Sequence, residues 1–191
     1  MENKINRCSW CLGDALYENY HDHEWGVPVY NDQRLFEFLI LESFQAGLSW
    51  ITILRKRENF RTLFYQFDYK KVALFGAEKI KVLMTDPGII RNRQKILASV
   101  NNAQRFMETQ NEYQSFSSYL WRFVDGTPIQ NNFNDPTAIP SKTRLTETIS
   151  KDLKQRGFQF VGPTVIYAFM QATGMVNDHL VDCFRYRSLQ S

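Results

Sequence analysis

The stretch Leu83-Met84-Thr85-Asp86-Pro87-Gly88-Ile89-Ile90-Arg91-Asn92-Arg93-Gln94-Lys95 decides how the chain is read. Helical spacing over Glu78 to Met84 is interrupted at Asp86-Pro87-Gly88, and a second helix is expected from Arg91 to about Met107. Two short helices therefore meet at a tight turn containing Gly88, and the second one starts with outward-pointing amides. Such an N-terminus can hold a phosphate through backbone N–H groups and the helix dipole. From Lys79 to Arg105 six cations (Lys79, Lys81, Arg91, Arg93, Lys95, Arg105) face a single acid, Asp86, while the whole chain carries only +3. Charge is concentrated on this pair, which suits a polyanion. The plainer alternative is a solvated helix pair with an ordinary glycine turn.

Outward from the hairpin, most of the chain also reads as helix. Asn31 and Asp32 cap a run from Gln33 to Gln45, in which Leu35, Phe36, Leu39, Ile40 and Phe44 recur at helical spacing. A second run, Ser49 to Phe64, sets Ile51, Leu54 and Phe64 among Arg55, Lys56, Arg57 and Glu58, all expected on the exposed face. Asp68 opens a short helix through Val72 and Phe75, and Phe116 to Val124 forms another. Residues 126–140 are the one long loop. Ser141 or Thr143 then caps a helix to Arg156, closed by Gly157. Gly162-Pro163 starts an apolar helix from Thr164 to Ala172, and a final short helix is expected near Asn177. No segment alternates like a strand, and there is no internal repeat. The expectation is an all-α protein forming a single unit over 1–191.

Composition sets the outer limits. Of 191 residues, 43% are hydrophobic and 23% charged, which excludes a disordered chain. Aromatics are abundant at 15%, enough for both a dense core and stacking pockets for flat ligands. No stretch approaches the roughly 18 apolar residues that span a bilayer, so no membrane partner is expected. The opening MENKINRCSWCLG has no apolar core and does not read as a secretory signal. Cys8, Cys11 and Cys183 are an odd number for a disulfide framework, which points to a reducing, cytoplasmic setting.

Two further constellations carry chemistry. Cys8, Cys11, His21 and His23 cluster near the start, and His179 and Cys183 lie four apart near the end, expected on one helix face. Two Cys/His pairs brought together would satisfy four-coordinate zinc and tie the chain ends. Cys8 with His21 would supply the first pair, but Cys11 and His23 remain spare candidates, and ordinary thiols and imidazoles are the plain alternative. The other constellation is aromatic: Trp10, Tyr17, Tyr20, Trp25 and Trp50. Glu42 follows Leu35 and Leu39 at steps of four and three, on the apolar face, where a lone carboxylate is costly. One reading is a cleft whose rings sandwich a flat base while Glu42 accepts its hydrogen bonds; the other is plain core with Glu42 facing solvent.

Taken together, Cys8-Ser9-Trp10, Tyr20-His21-Asp22-His23-Glu24-Trp25-Gly26, Leu41-Glu42, Gln45-Ala46-Gly47-Leu48-Ser49-Trp50, Lys56-Arg57-Glu58-Asn59, Gly157-Phe158, Phe160-Val161-Gly162 and Val176-Asn177-Asp178-His179 form a specific set. Over nearly its whole length the sequence resembles the 3-methyladenine DNA glycosylase I family, a divergent branch of the helix-hairpin-helix glycosylases. The resemblance implies an all-α fold with the helix-hairpin-helix at 77–108 and a zinc-binding part made by 1–30 and 175–191. It implies one structural zinc on Cys8, His21, His179 and Cys183, selecting these over Cys11 and His23. It assigns Glu42 to catalysis and places Tyr20 and Trp50 in the base pocket, with Trp10, Tyr17 and Trp25 as nearby walls. Leu48, on the turn after Gly47, matches the position that wedges into the gap left by an extruded nucleotide.

The implied partner is double-stranded DNA containing 3-methyladenine, with the free base as product, and the implied state is a monomer. Gly88, Ile90, Arg91, Arg93 and Lys95 would hold the DNA backbone. Many relatives carry a catalytic aspartate in a Val-Asp-x-His segment; here Asn177 holds that position, and Asp178, one residue on, is not assigned the role. No lysine stands out as a Schiff-base nucleophile. A non-enzymatic DNA-binding hairpin module is the alternative from another class. A zinc hydrolase is disfavoured, because four protein ligands leave no open position for water.

Overall fold

A computed structural model describes residues 5–190. Met1–Lys4 and Ser191, parts of the opening and terminal segments read above, lie outside the described residues.

The fold is built around α2 (Asp32–Gln45), capped by the Asn31 side chain, which accepts from the Arg34 N–H. Every residue from Leu35 to Phe44 is buried, so this helix is enclosed on all sides rather than amphipathic. It packs against α3 (Trp50–Leu63), α6 (Arg93–Tyr113), α7 (Phe116–Trp121) and α9 (Pro163–Ala172). Phe106 of α6 lies between Phe36 (ring centroids 5.2 Å apart) and Phe116 (4.1 Å), and α6 continues beyond its expected end at Met107 to Tyr113, whose ring packs on Tyr119 at 5.2 Å. Enclosure forces the two buried acids of α2 to find special surroundings. Glu37 accepts from Arg34, Arg57 and Arg61, and Glu42 opens onto a cavity.

The remaining helices are α1 (Ala15–His23), α4 (Tyr69–Val72), α5 (Ala77–Thr85), α8 (Arg144–Gln155) and α10 (Phe184–Ser188). Helix α1 has no counterpart in the sequence reading, although Asp14 caps it by accepting from the Leu16 and Tyr17 amides. Thr143, not Ser141, caps α8.

Two expectations are corrected at the C-terminal end. The loop after Gly126 contains β1 (Ile129–Gln130), which pairs in parallel with β2 (Val176–Asn177), Ile129 opposite Val176. The segment at Asn177 is therefore strand, and the last helix starts only at Phe184. The Asn177 amide donates to Gln130 Oε1 and to the Tyr186 carbonyl, long-range partners that local periodicity cannot reveal. No helix is long and apolar enough to cross a membrane among the described residues.

Candidate active site and metal centre

The hairpin joins α5 to α6 through residues 86–92. Asp86 Oδ1 accepts from the Gly88 N–H at 2.7 Å, and Lys56 of α3 donates to the Pro87 carbonyl at 2.6 Å. A Cβ on Gly88 would sit 2.8 Å from Asp86 Oδ1 and 2.9 Å from the Asn59 side chain, so close approach demands glycine here. The Gly88 amide is thus already engaged, while the amides of Ile89, Ile90 and Arg91 have no acceptor among the described residues. Asn92 caps α6 by accepting from the Lys95 N–H, and Arg91 and Arg93 stand exposed beside it.

Lys95 departs from expectation. It is only 7% exposed, and its ammonium donates to the carbonyls of Phe44 (2.9 Å) and Ala46 (2.8 Å). It closes the C-terminal end of α2 instead of presenting a charge to a polyanion. Arg57, expected on an exposed face, is also buried; it bridges Glu37 of α2 and Glu24 just after α1.

Between α1, α2, α3 and α9 lies a cavity of about 210 Å³. Trp10, Tyr17, Tyr20, Trp25 and Trp50 line it, as do Glu42, Gln45, Ile139, Ala168 and Gln171. The rings pack against each other at its walls: Trp10 with Tyr17 at 4.8 Å, Trp10 with Trp25 at 5.0 Å, and Tyr20 with Trp50 at 5.4 Å between centroids. Such rings offer flat apolar faces to a planar ligand.

The polar equipment of this cavity is sparse. Glu42 is 3% exposed, its Oε2 has no hydrogen-bond partner, and the buried Trp50 indole N–H is also unpaired. Burial alone pushes the Glu42 carboxyl up to about 8, because no cation is placed to hold it ionised. An unpaired carboxyl in an aromatic cavity is poised for a cation or an N–H donor.

A second cavity adjoins the first, sharing Glu42, Gln45 and Ala168 and continuing to Gly47 and Leu48. Gly47 has φ +83°, a conformation glycine adopts without strain, and the turn it makes leaves Leu48 42% exposed.

Cys8, His21, His179 and Cys183 form a buried cluster whose ligand atoms all lie within 4.8 Å of one another. His179 and Cys183 meet across a turn, not on the helix face expected from their spacing. Cys183 Sγ is 3.5 Å from His21 Nε2 and 3.5 Å from His179 Nδ1, and Cys8 Sγ is 3.7 Å from His179 Nδ1. A tetrahedral zinc bonded at about 2.3 Å to sulfur and about 2.0 Å to nitrogen sets such atoms about 3.6 Å apart, so the donor set fits. The other ring nitrogens are engaged: His21 Nδ1 with Asp22 Oδ1 at 2.8 Å, His179 Nε2 with the Trp25 carbonyl at 3.1 Å. Arg7 in turn grips Asp22 through two nitrogens. Partners of this kind fix tautomer and orientation in metal-binding histidines. The spare candidates fall outside the cluster. Cys11 donates its thiol to the Cys8 carbonyl, and burial pushes that thiol up to about 11. His23 is exposed and contacts the Asn19 carbonyl.

The methyladenine glycosylase family model matches residues 10–186. The chain belongs to the methyladenine glycosylase family. It is 47% identical to DNA-3-methyladenine glycosylase 1 of Escherichia coli, over 95% of this chain and 97% of that protein. It is also 47% identical to DNA-3-methyladenine glycosylase of Haemophilus influenzae, over 93% and 96%. A crystal structure of 3-methyladenine DNA glycosylase I superposes with a TM-score of 0.91 at 46% identity, covering 94% of this chain and 98% of the other. A Staphylococcus aureus family member, solved to explain 3-methyladenine recognition, matches with a TM-score of 0.91 at 42% identity, over 94% and 96%.

In the present chain, the cavity residues that sequence reading left out are Gln45, Ile139, Ala168 and Gln171. They arrive from distant segments, and only Gln45 sits in a stretch already singled out. Asn177 and Asp178 are both buried and fully bonded. Asp178 accepts from Asn131, Tyr167 and Gln171, so it braces the wall and does not meet the cavity itself.

Proposed function

We propose that this chain hydrolyses the N-glycosidic bond of 3-methyladenine in alkylated duplex DNA, with 3-methylguanine as the further candidate lesion. The observation that carries this reading is the aromatic cavity with one buried, unpaired carboxyl, in a chain that belongs to the methyladenine glycosylase family. Residues 1–191 act as one unit, with the hairpin at 77–108 and the chain ends around the metal cluster. One chain completes cavity, cluster and hairpin, so a monomer suffices. Its DNA substrate places its work in the cytoplasm.

Arg91 and Arg93, with the free amides through Ile90, grip the backbone, and the target nucleotide is extruded from the stack. Leu48, exposed on the Gly47 turn, fills the gap left behind. The extruded base slides between Trp50 and Tyr20 on one side and Trp10, Tyr17 and Trp25 on the other. A purine methylated at N3 is cationic while attached to sugar. Its charge favours ionised Glu42, so the carboxyl gives up its proton to solvent as the base enters. The C1′–N9 bond breaks with its electron pair neutralising the departing base, and water adds to C1′ and releases its proton to solvent. Positioning and charge stabilisation are enough for a bond already weakened by alkylation. The cavity lining holds no lysine, so no Schiff base forms and the strand stays uncut.

Cys8, His21, His179 and Cys183 would hold one zinc ion. Closed by four protein ligands, it supplies stability by joining residues far apart in the chain.

Titration of tryptophan fluorescence with free 3-methyladenine tests the reading against a bare DNA-binding module. The proposed enzyme binds the base and is quenched; a module lacking a base pocket is not.

A further inference from the structure

Gln171 sits on α9 and lines the base cavity, yet its side chain is not free to turn. Its Nε2 donates to Asp178 Oδ2 at 2.8 Å, and Tyr167 OH donates to the same oxygen at 2.6 Å. The other carboxylate oxygen accepts from Asn131 at 2.7 Å. Both oxygens of Asp178 are acceptors, so a flipped amide would set Oε1 against a carboxylate. The amide is therefore held with its donor end on Asp178. Its Oε1 accepts no hydrogen bond among the described residues and, unlike Glu42 Oε2, is not among the fully buried unpaired atoms, on a residue that lines the cavity. An acceptor on the cavity wall that cannot become a donor discriminates between ligands offering N–H and ligands offering a lone pair.

Resting on the function proposed above, we infer that Gln171 is a specificity-determining residue: its locked Oε1 accepts from the exocyclic amine of a 3-methylated adenine and opposes the carbonyl that guanine carries at that position. Asp178 acts through Gln171 as a positioning residue. Among the residues lining the cavity, Glu42 supplies attraction for a cationic purine of either kind, whereas Gln171 tells the two apart.

The test compares wild type with Gln171→Met, which keeps length and shape but removes the acceptor. Release of 3-methyladenine and 3-methylguanine from methylated duplex DNA is followed in parallel, with thermal melting as a check on folding. The preference of wild type for 3-methyladenine is expected to fall roughly ten-fold in the variant, because loss of one neutral hydrogen bond weakens the adenine and relief of repulsion helps the guanine. Equal loss on both bases, or an unchanged ratio, overturns the inference while leaving the glycosylase reading intact. No release of either base by wild type overturns both. Should the variant fail to fold, a crystal structure of wild type with free 3-methyladenine decides the matter. Oε1 within hydrogen-bond distance of the exocyclic amine supports the assignment, and Oε1 turned away from it refutes the assignment.

Discussion

Trp50 and Glu42 line the same cavity, and each keeps one buried polar atom, the indole N–H and the carboxylate Oε2, without a partner. An unpaired donor and an unpaired acceptor in one aromatic cavity are a standing cost to the empty protein. That cost is recovered only when a polar, flat ligand enters.

Glu42 makes the cost depend on pH. Its carboxyl titrates at about 8 in the folded protein and near about 4.3 when unfolded. The folded state binds the extra proton between these values, so stability is fully present below about 4 and falls as pH rises towards 8. Glu42→Gln should remove this slope and melt higher than wild type at alkaline pH, by an amount equivalent to a few kcal/mol at most. Melting curves at several pH values check it; parallel curves for the two proteins would show that Glu42 is not held protonated. The same variant should release 3-methyladenine from methylated duplex DNA more slowly, since the base is cationic there and a hydrogen bond to the ionised carboxylate it favours is worth about 1.5–3 kcal/mol.

The chain ends should depend on metal. One zinc per chain is expected by elemental analysis of protein purified without chelator, and Cys183→Ser should lose it and melt at lower temperature. Asp22→Asn should retain the four ligands but weaken metal affinity by about 10–100-fold, the usual effect of removing a carboxylate from behind a metal-binding histidine. Unchanged metal content and melting temperature in Cys183→Ser would refute the site.

Cations of the chain separate into two groups with different consequences. Arg91→Ala with Arg93→Ala should weaken binding to all DNA sequences alike and flatten its salt dependence. Lys95→Ala should instead lower stability, because its ammonium serves the carbonyls at the end of α2. Melting and DNA titrations on both variants distinguish the roles, and a salt slope altered only by Lys95→Ala would reverse the assignment.

A similar contrast holds on α3. Arg57 is 3% exposed between Glu24 and Glu37, which keep Arg34 and Arg61 as partners, so Arg57→Ala loses buried charged hydrogen bonds and should cost about 1.5–3 kcal/mol. Arg55, exposed and paired with Asp14, should cost no more than about 1 kcal/mol when replaced by alanine. Equal losses in denaturant unfolding would contradict the burial pattern.

These contrasts mark where the sequence was legible. Capped, periodic runs such as Asp32–Gln45 and the break at Asp86-Pro87-Gly88 are local signals, and the elements stand where those signals put them. Position Glu42 was also readable, because a carboxylate on an apolar face needs an explanation. Lys95 and Arg57 were misread because nothing near them in sequence announces the carbonyls of Phe44 and Ala46 or the acid Glu24. The strand at Val176–Asn177 escaped for the same reason, since its partner lies in the loop at Ile129–Gln130. Gln171 looks like an ordinary helix residue until Asp178 fixes its orientation.

The central claim is that an aromatic cavity with one buried carboxyl excises a cationic purine by simple hydrolysis. Incubation of the protein with methylated duplex DNA, followed by chromatographic identification of the released bases, tests it most directly. The account predicts free 3-methyladenine, negligible hypoxanthine from inosine-containing DNA, and an uncut strand at the abasic site. Efficient hypoxanthine release, a borohydride-trapped protein–DNA adduct, or no released base at all would contradict it.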